Sequence, residues 1–395
     1  MALILFDGKE REQLLPLTYT RPVAELRIGI LKISEKWEQH LDQKASFFTQ
    51  PYLSEKFPID ASDKCLLVNG SVCPDEKLVE TIDNLDRGVW LIKEEQKIAL
   101  KLNREDLPAS LEDLLGLELK TQNYEAEIFA INHLWDIFNK NNIALESDFE
   151  LLTKGRSSES IPASNQIVGD RIFLEKGAKV NFTTLNSTNG PIYIGEKAEI
   201  MEGAMIRGGL ALCESAVLKM GAKIYGASTF GPHCKIGGEV NNSVFQGFSN
   251  KAHDGFLGNS VIGEWCNLGA DTNNSNLKND YGPVKIWNYP KRSFANTGLQ
   301  FCGLMMGDHS KCSINTMFNT GTVVGVFANI FGSGFPRNFV PSFSWGGSRG
   351  MIEYNLDKAF KVAETVMARR DKVLDEKEKA ILSYIFEETK TFRAK

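Results

Sequence analysis

Apolar residues recur at every sixth position through the middle of the chain, and this period restricts the possible folds severely. Eight consecutive sixth positions are apolar: Ile194, Ile200, Ile206, Leu212, Leu218, Ile224, Phe230 and Ile236. The residue four places after each is mostly small, as in Ala198 and Ala216. An α-helix repeats about every 3.6 residues and a flat strand about every 2, so neither gives this period. The pattern predicts a solenoid of short strands joined by sharp corners, with the aliphatic side chains stacked inside.

The six-residue phase returns later in the chain, but two segments interrupt it. It resumes at Ile262 and Leu268 and runs again from Met306 to Ile330, whereas residues 242–260 and 274–303 break it. Because insertions into a solenoid become loops on one face, we expect loops at both breaks. Glycine often directly follows the aliphatic position, where we expect backbone conformations that other residues resist. These glycines are Gly195, Gly237, Gly263, Gly269, Gly307 and Gly325.

The two ends of the chain lack this repeat and predict other folds. In residues 1–152, apolar runs at 2–6, 65–70 and 89–93 predict strands, and residues 28–41, 76–85 and 135–140 predict helices. Strand and helix alternation favours an α/β domain with a parallel, Rossmann-like sheet. A polar, serine-rich linker follows over residues 153–165. Residues 350–395 predict a C-terminal helical segment of two short helices, the second capped by Asp375.

Bulk composition excludes several functional classes. The net charge is -5 and the pI about 5.7, which disfavours nucleic acid as a partner. No apolar run approaches the roughly 18 residues of a membrane span, so we expect no membrane partner. The seven cysteines are scattered, with no CxxC pair, which indicates reduced thiols and a cytoplasmic location.

One string inside the solenoid, KAHDGFLGNSVIGEWCNLGADTNNSN over residues 251–276, holds the strongest chemical motif. It resembles the acetyltransferase site of GlmU-like bifunctional enzymes, whose solenoids belong to the hexapeptide-repeat acyltransferases and form left-handed parallel β-helices. The resemblance implies a general base, His253, sugar-binding residues, Asn267 and Asn276, and acyl-CoA contacts at Gly269 and Ala270. It also implies a homotrimer with acyl-CoA bound between adjacent solenoids.

The motif departs from that family at three points. Phe256 stands where the family has a tyrosine, and Asp271 replaces the third residue of a G-A-G turn. The family's upstream phosphate-binding lysine has no clear counterpart, so Lys251, Lys278 or Lys285 are the candidates to replace it. We assign Phe256 and Lys278 to the sugar site. These departures bear on the identity of the acceptor more than on acyl transfer.

The residue types suit acyl transfer to an amine on physical grounds as well. Histidine titrates near neutral pH and serves as a general base, and backbone N–H groups in a tight turn stabilise an oxyanion. The alternative is that His253 only makes hydrogen bonds within its own loop while Asp254 and Gly255 form a turn. His40, His133, His233 and His309 have no such motif, and we expect surface or structural roles for them.

A second resemblance lies near the N-terminus. The segments LLPLTYTRP (residues 14–22), VNGSVCPD (68–75) and INHLWDIF (131–138) resemble the motifs of sugar-1-phosphate nucleotidyltransferases. The resemblance implies nucleotide or phosphate contacts at Gly8, Arg11, Arg21, Asn69 and Gly70, and a Mg²⁺ ligand at Asn132. The family's second metal ligand, an aspartate, is Ser71 here, and loss of a ligand should weaken phosphoryl chemistry.

Together these patterns predict three parts: a nucleotidyltransferase-like domain (1–152), a left-handed β-helix acyltransferase domain (165–345) and a helical segment (350–395). The predicted activity is acetyl transfer from acetyl-CoA to an amino sugar phosphate such as glucosamine-1-phosphate. The N-terminal domain would either activate the sugar by nucleotidyl transfer with UTP or another NTP, or only recruit the sugar, in nucleotide-sugar biosynthesis. The alternatives are nucleotidyl transfer alone and a catalytically degenerate trimeric scaffold that binds sugars or nucleotides.

Overall fold

A computed structural model describes residues 1–393. The chain divides into two compact units, one formed by residues 1–26 with 31–133 and the other by residues 27–30 with the chain from 134 onward. We call them the N-terminal unit and the solenoid unit.

The N-terminal unit is built on a six-stranded sheet, and all three predicted strands are present in it. Its first three strands in spatial order are parallel, which confirms the predicted parallel sheet. The fourth strand, Gln96–Asn103, was not predicted, and it runs antiparallel to both of its neighbours. In spatial order the strands are Ala45–Phe48, Ala2–Phe6, Lys64–Asn69, Gln96–Asn103, Val89–Lys93 and Lys120–Asn123.

Three α-helices and four short 3₁₀ helices complete the N-terminal unit. The helices are α1 (Ile33–Leu41), α2 (Glu76–Asp83) and α3 (Leu111–Gly116). The 3₁₀ helices are Lys9–Leu14, Leu17–Tyr19, Val23–Glu25 and Arg104–Asp106. The N-terminus of α2 is capped by Asp75, whose carboxylate accepts a hydrogen bond from the Leu78 N–H.

The predicted helix over residues 28–41 is wrong in its first turn, because α1 begins only at Ile33. Gly29 has a positive φ of 74°, which interrupts a helix, and residues 27–30 belong to the solenoid unit. There the amide of Gln246 bonds the backbone of Arg27 twice, at 2.6 and 3.1 Å. Hydrogen bonds to Gln246, within the solenoid unit, therefore take the place of those in the expected helix turn.

The solenoid unit contains three long parallel faces, and the repeat pattern explains their register. Equivalent residues of successive coils pair directly, such as Ile194 with Leu212 and Leu212 with Phe230. Face 1 has nine strands: Ile172–Leu174, Ile192–Ile194, Leu210–Leu212, Ser228–Phe230, Val244–Gly247, Val261–Glu264, Met305–Met306, Val323–Val324 and Phe339–Val340.

Faces 2 and 3 continue each coil around the shaft. Face 2 has nine parallel strands, and a tenth, Gly350–Glu353, pairs antiparallel with the last of them. The nine are Lys179–Val180, Glu199–Ile200, Val217–Leu218, Lys235–Ile236, Asn250–Lys251, Asn267–Leu268, Lys311–Cys312, Asn329–Ile330 and Ser344–Gly347. Face 3 has six, followed by the pair Asn273–Asn274 and Met317–Phe318. The six are Gln166–Val168, Thr184–Asn186, Met205–Arg207, Lys223–Tyr225, Glu239–Asn241 and Phe256–Gly258. The β-solenoid is thus confirmed, and its left-handed sense stays a prediction.

The predicted inward residues form one continuous apolar core. All eight residues from Ile194 to Ile236 belong to it, together with the later members from Ile262 to Ile330. Within this core, the rings of Phe230 and Phe245 meet edge to face with their centroids 5.6 Å apart. The small partner residues, among them Ala198 and Ala216, are fully buried beside them.

The two phase breaks have different origins, and the expectation of a loop is wrong for the first. Across residues 242–260 the coil continues with shortened corners, so Phe230 pairs with Phe245 and Ile236 with Lys251, fifteen residues on rather than eighteen. The second break contains a true insertion, an antiparallel hairpin of Lys285–Asn288 and Ser293–Asn296. A lost residue and an added one disturb the period equally, so the sequence pattern alone does not distinguish them.

Close packing between coils, rather than unusual backbone angles, explains the glycines after the aliphatic positions. None of the six has a positive φ. A Cβ on Gly269 would lie 2.4 Å from the Ile314 nitrogen, and one on Gly263 would lie 2.3 Å from the Asp308 carboxylate. Positive φ values in the coils fall on other glycines, such as Gly203 and Gly238, and on several non-glycine corner residues. Six of these corner residues carry rings that stack as a column: His233, Phe248, Trp265, His309, Phe327 and Phe343.

Five helices lie among the described residues of the solenoid unit. Two precede the coils, α4 (Leu134–Asn139) and α5 (Asn141–Thr153). Three follow them, α6 (Leu356–Ala368), α7 (Glu376–Glu388) and α8 (Lys390–Arg393). The predicted cap at Asp375 is confirmed, since its side chain accepts from the Glu378 N–H at 2.8 Å. Across residues 1–393, every helix is too short or too polar to cross a lipid bilayer.

Candidate functional site

A groove on face 2 brings together four of the residues singled out in the 251–276 string. His253, Asn267, Gly269 and Ala270 all line this groove, which has a volume of about 380 Å³. We call it the His253 groove. Its remaining walls come from the same two coils, from one earlier coil at Lys235, from one later coil at Ile314 and from the end of α6. The groove is therefore assembled from segments that are distant in sequence.

His253 lies at the corner between faces 2 and 3, and the corner is held rigidly. The side chain of His253 is exposed, whereas its carbonyl oxygen accepts from the Lys251 Nζ at 2.9 Å. Gly255 takes a φ of 112°, and a Cβ there would lie 2.2 Å from the Thr272 oxygen. The Asp254 carbonyl accepts from the Asp271 N–H of the next coil at 3.0 Å. The imidazole is therefore presented by a tightly packed corner and not by a loose loop.

Lys251 occupies a position that the repeat assigns to an aliphatic residue. It is 1% exposed and stacks between Ile236 and Leu268, its partner positions in the neighbouring coils. Its ammonium group donates to the carbonyl oxygens of Gly237 and His253. Burial lowers the pKa of Lys251 to about 8, against the opposing pull of the Asp254 and Asp271 carboxylates.

The turn at Gly269 and Ala270 offers one backbone donor rather than two. The Gly269 N–H donates to the Cys312 carbonyl of the next coil at 3.1 Å, so it serves the solenoid. The Ala270 N–H has no hydrogen-bond acceptor among the described residues, and its carbonyl accepts from the Asn315 N–H. Asn267 projects from the same face beside Asn250, its ladder partner in the preceding coil.

Two arginines that no sequence motif predicted also line the groove. Arg369 and Arg370 directly follow the last residue of α6 and line the groove together with Lys235. Burial lowers the pKa of Lys235, and the positive charge of Arg370 lowers it further. Phe248 and Trp265, stacked at 4.3 Å, form an aromatic edge beside these cations. The only sequence signal was the adjacent pair of arginines at a predicted helix end.

Three other predicted sugar-site residues lie outside the His253 groove. Asn276 donates to the Asn259 side chain at 2.8 Å, and Phe256 begins a strand of face 3. Lys278 forms an ion pair with Asp280 at 3.0 Å and lines a different cavity, beside the inserted hairpin. Within one chain, the structure therefore separates these residues from His253.

In the N-terminal unit, the predicted phosphate contacts are partly occupied by internal bonds. Arg11 is buried, and its guanidinium donates to the Thr18 carbonyl at 2.9 Å and the Tyr52 hydroxyl at 2.7 Å. Arg21 is also buried. Gly8 and Asn69 do meet, since a Cβ on Gly8 would lie 2.7 Å from the Asn69 amide nitrogen.

Gly70 lies directly after the strand that carries Asn69 and packs closely against the backbone of a 3₁₀ helix. A Cβ on Gly70 would lie 3.1 Å from the Ala24 nitrogen. The Asn69 amide donates to the Lys97 carbonyl at 3.0 Å, and its oxygen accepts from the Ser71 N–H. This end of the sheet is thus densely bonded within the protein.

The predicted metal ligand Asn132 lies against an amide donor of the N-terminal unit. The Gln96 amide nitrogen donates to both the Ser71 hydroxyl, at 3.1 Å, and the Asn132 side-chain oxygen, at 3.3 Å. Mg²⁺ favours carboxylate oxygens, and residues 1–393 contain no cluster of three His, Cys, Asp or Glu side chains able to hold a metal. These side chains do not fit Mg²⁺ as arranged, because an amide donor already lies against both oxygens.

Comparison with known proteins identifies one relationship in sequence. Residues 3–157, less than half of the chain, match the family model described as "Sugar nucleotidyl transferase". No curated protein matches the chain.

Solved structures with some similarity include three transferases. The polysialic-acid-specific acetyltransferase NeuO is 13% identical, with 49% of this chain and 83% of that one covered at a TM-score of 0.24. A UDP-N-acetylglucosamine acyltransferase from Francisella novicida is 13% identical, with 56% and 87% covered at 0.22. The enzyme of that name from Campylobacter jejuni is 15% identical, with 58% and 96% covered at 0.20. The sequence match to sugar nucleotidyl transferases, over residues 3–157, ends before the first coil of the solenoid.

Proposed function

We propose that this chain transfers an acyl group from acyl-CoA to an amino sugar phosphate, with the His253 groove as the reaction site. One observation supports this most directly. A single groove contains an exposed imidazole, an available backbone donor at Ala270 and a cationic wall formed by Arg369, Arg370 and Lys235. These are the groups that proton removal, oxyanion stabilisation and binding of a phosphorylated donor require.

In the proposed reaction, His253 acts as general base. The amine nitrogen of the sugar attacks the thioester carbonyl carbon while the imidazole accepts the proton that the amine loses. The Ala270 N–H donates to the resulting oxyanion, and collapse of the tetrahedral intermediate breaks the carbon–sulfur bond. The thiolate of CoA leaves and takes up the proton from His253, which restores the neutral imidazole.

The cationic wall suits the phosphate groups of the donor. Arg369 and Arg370 each offer a planar fork of N–H donors, which bind phosphate oxygens in pairs. Phe248 and Trp265 provide a flat apolar edge next to these cations. We assign acetyl-CoA as the donor and the two arginines as its binding residues.

The proposed acceptor is an amino sugar phosphate such as glucosamine-1-phosphate. The match of residues 3–157 to sugar nucleotidyl transferases supports a sugar substrate for the same chain. Asn267 supplies a polar side chain in the groove for hydroxyl groups of the sugar. Asn276, Phe256 and Lys278 would act on a neighbouring subunit's acceptor in a homotrimer, which light scattering of the full chain tests.

Release of free thiol from acetyl-CoA in the presence of glucosamine-1-phosphate tests the proposal. We expect His253→Ala to lower kcat by about 10²- to 10⁴-fold, the usual contribution of a general base. His40→Gln is the matched control, since it removes an imidazole from the N-terminal unit, and it should leave turnover unchanged. Equal turnover in wild type and His253→Ala would exclude this histidine as the base.

Nucleotidyl transfer is a second candidate function, and the family match of residues 3–157 favours it. Release of pyrophosphate from UTP with N-acetylglucosamine-1-phosphate and Mg²⁺ is the direct assay. If the N-terminal unit is active, Asn132→Ala should abolish that release without altering thiol release. Because the Gln96 amide lies against both Ser71 and Asn132, we expect little or no release from the wild type.

A further inference from the structure

The inserted hairpin builds a cavity apart from the His253 groove, and of its lining only Lys278 has a part in the proposed acyl transfer. Trp287, on the first hairpin strand, stacks on Phe339 of face 1 with ring centroids 4.2 Å apart and planes within 10°. A cavity of about 810 Å³ lies beside this stack, and a second of about 490 Å³ shares Trp287, Arg337 and Phe339 with it. We call the two together the hairpin cavity.

The hairpin cavity gathers positive charge in a chain that is acidic overall. Its described lining contains no aspartate or glutamate, although the chain has a net charge of -5. The basic residues are Lys278, Lys285, Arg292, Arg337, Arg349 and Arg393. Like charges facing one cavity repel each other, so an arrangement of this kind is stabilised when an anion binds among them.

The cations of the hairpin cavity differ in whether an acidic partner neutralises them. Lys278 pairs with Asp280, and Arg393 pairs with Glu353 at 3.1 Å. Lys285 and Arg337, by contrast, form no ion pair within residues 1–393, and both side chains are exposed. Their charge is therefore not compensated inside the protein.

An aromatic surface adjoins the uncompensated charges. Phe294, on the second hairpin strand, is 46% exposed and meets Trp287 edge to face at 5.5 Å. Arg292 lies over the Phe392 ring at 5.4 Å, and both residues line the second cavity. Exposed rings beside Lys and Arg are the combination that binds a planar base together with its phosphates.

We propose that the hairpin cavity binds a nucleotide, with its phosphates on Lys285 and Arg337 and its base against Phe294. A simple anion would use the cations but not the aromatic surface, whereas a nucleotide uses both. The same chemistry belongs to a free nucleoside diphosphate and to the adenosine phosphate portion of CoA. This site is separate from the His253 groove and does not depend on the acyl transfer proposed there.

Titration calorimetry on the full chain with UDP, ADP, CoA and inorganic pyrophosphate tests the proposal. Loss of one charged contact should weaken nucleotide binding by about tenfold to a hundredfold in Arg337→Gln and in Lys285→Gln. Phe294→Ala should weaken UDP and ADP but not pyrophosphate. Lys223→Gln, which removes an exposed lysine from face 3, is the matched control and should change none of the affinities.

The outcomes distinguish CoA from a free nucleotide as the ligand, and they include the results that overturn the proposal. CoA binding lost in Arg337→Gln but kept in Arg369→Gln supports CoA as the nucleotide, and UDP or ADP binding lost in Arg337→Gln supports a free nucleotide. Absence of nucleotide binding overturns the proposal. So does nucleotide binding that Arg337→Gln and Lys285→Gln leave intact, or that Phe294→Ala weakens no more than pyrophosphate binding.

Discussion

Replacement of Lys251 by methionine tests how the solenoid tolerates a charge in its core. Methionine has a similar length and no charge, so Lys251→Met keeps the stacking between Ile236 and Leu268 and removes the two bonds to carbonyl oxygens. At neutral pH two effects oppose each other. Relief of the buried charge stabilises the variant, and loss of the bonds, about 1.5–3 kcal/mol each for a charged donor, destabilises it.

The dependence on pH isolates the buried charge, because it depends only on the proton. The pKa of Lys251 falls from 10.5 to about 8 on folding, so between these values the unfolded chain holds a proton that the folded chain has lost. Stability of the wild type must therefore rise with pH across this window and level off above it. For a pKa near 8, the rise between pH 7.5 and 10 is about 2 kcal/mol.

Urea denaturation of wild type and Lys251→Met, followed by circular dichroism at pH 7.5 and pH 10, measures this difference. The wild type should gain about 2 kcal/mol relative to the variant, while other titrating groups cancel in the comparison. Lys223→Met, an exposed lysine on face 3, should show no such gain. A stability difference between wild type and Lys251→Met that stays constant with pH would refute the reasoning.

Two further predictions concern the core and the donor site. Phe245→Ala should lower the free energy of unfolding by about 3–5 kcal/mol, since the ring is fully buried, whereas Phe182→Ala, at 66% exposed, should change it by less than about 0.5 kcal/mol in the same urea assay. The double variant of Arg369 and Arg370 to glutamine should raise the KM for acetyl-CoA by about tenfold or more with a smaller change in kcat. Lys223→Gln serves as its charge control, and an unchanged KM in the double variant would remove the arginines from the donor site.

The solenoid could be predicted because each six-residue repeat carries the same local pattern, and the pattern recurs many times. Each of the residues from Ile194 to Ile236 sits in the core as its position in the hexad requires. The missed strand Gln96–Asn103 also left a local signal, since Ile98, Leu100 and Leu102 alternate with more polar positions. Its antiparallel direction left none, because pairing between strands depends on contacts that are distant in sequence.

Only the part of the candidate site that lies within the 251–276 string could be predicted from the sequence. His253, Asn267, Gly269 and Ala270 lie within one string, and the coil geometry brings them to the same groove. Arg369 and Arg370 come from a helix about a hundred residues later, and only the path of α6 along the solenoid places them in the same groove. The motif alone also gave no sign that the guanidinium of Arg11 makes an internal hydrogen bond to Tyr52, because Tyr52 is about forty residues away in sequence.

The shortened coil at residues 242–260 gives a physical reason for the location of the imidazole. Shortening puts Lys251 where an aliphatic residue is expected and brings the next corner, with His253, directly under its ammonium group. A base on such a corner loses less entropy on reaching its working position than one on a mobile loop. The true insertion, with Trp287, instead builds a separate cavity on the later coils. The two irregularities of one repeat thus have different structural consequences: shortening places His253 on a tightly packed corner, and insertion adds a separate cavity.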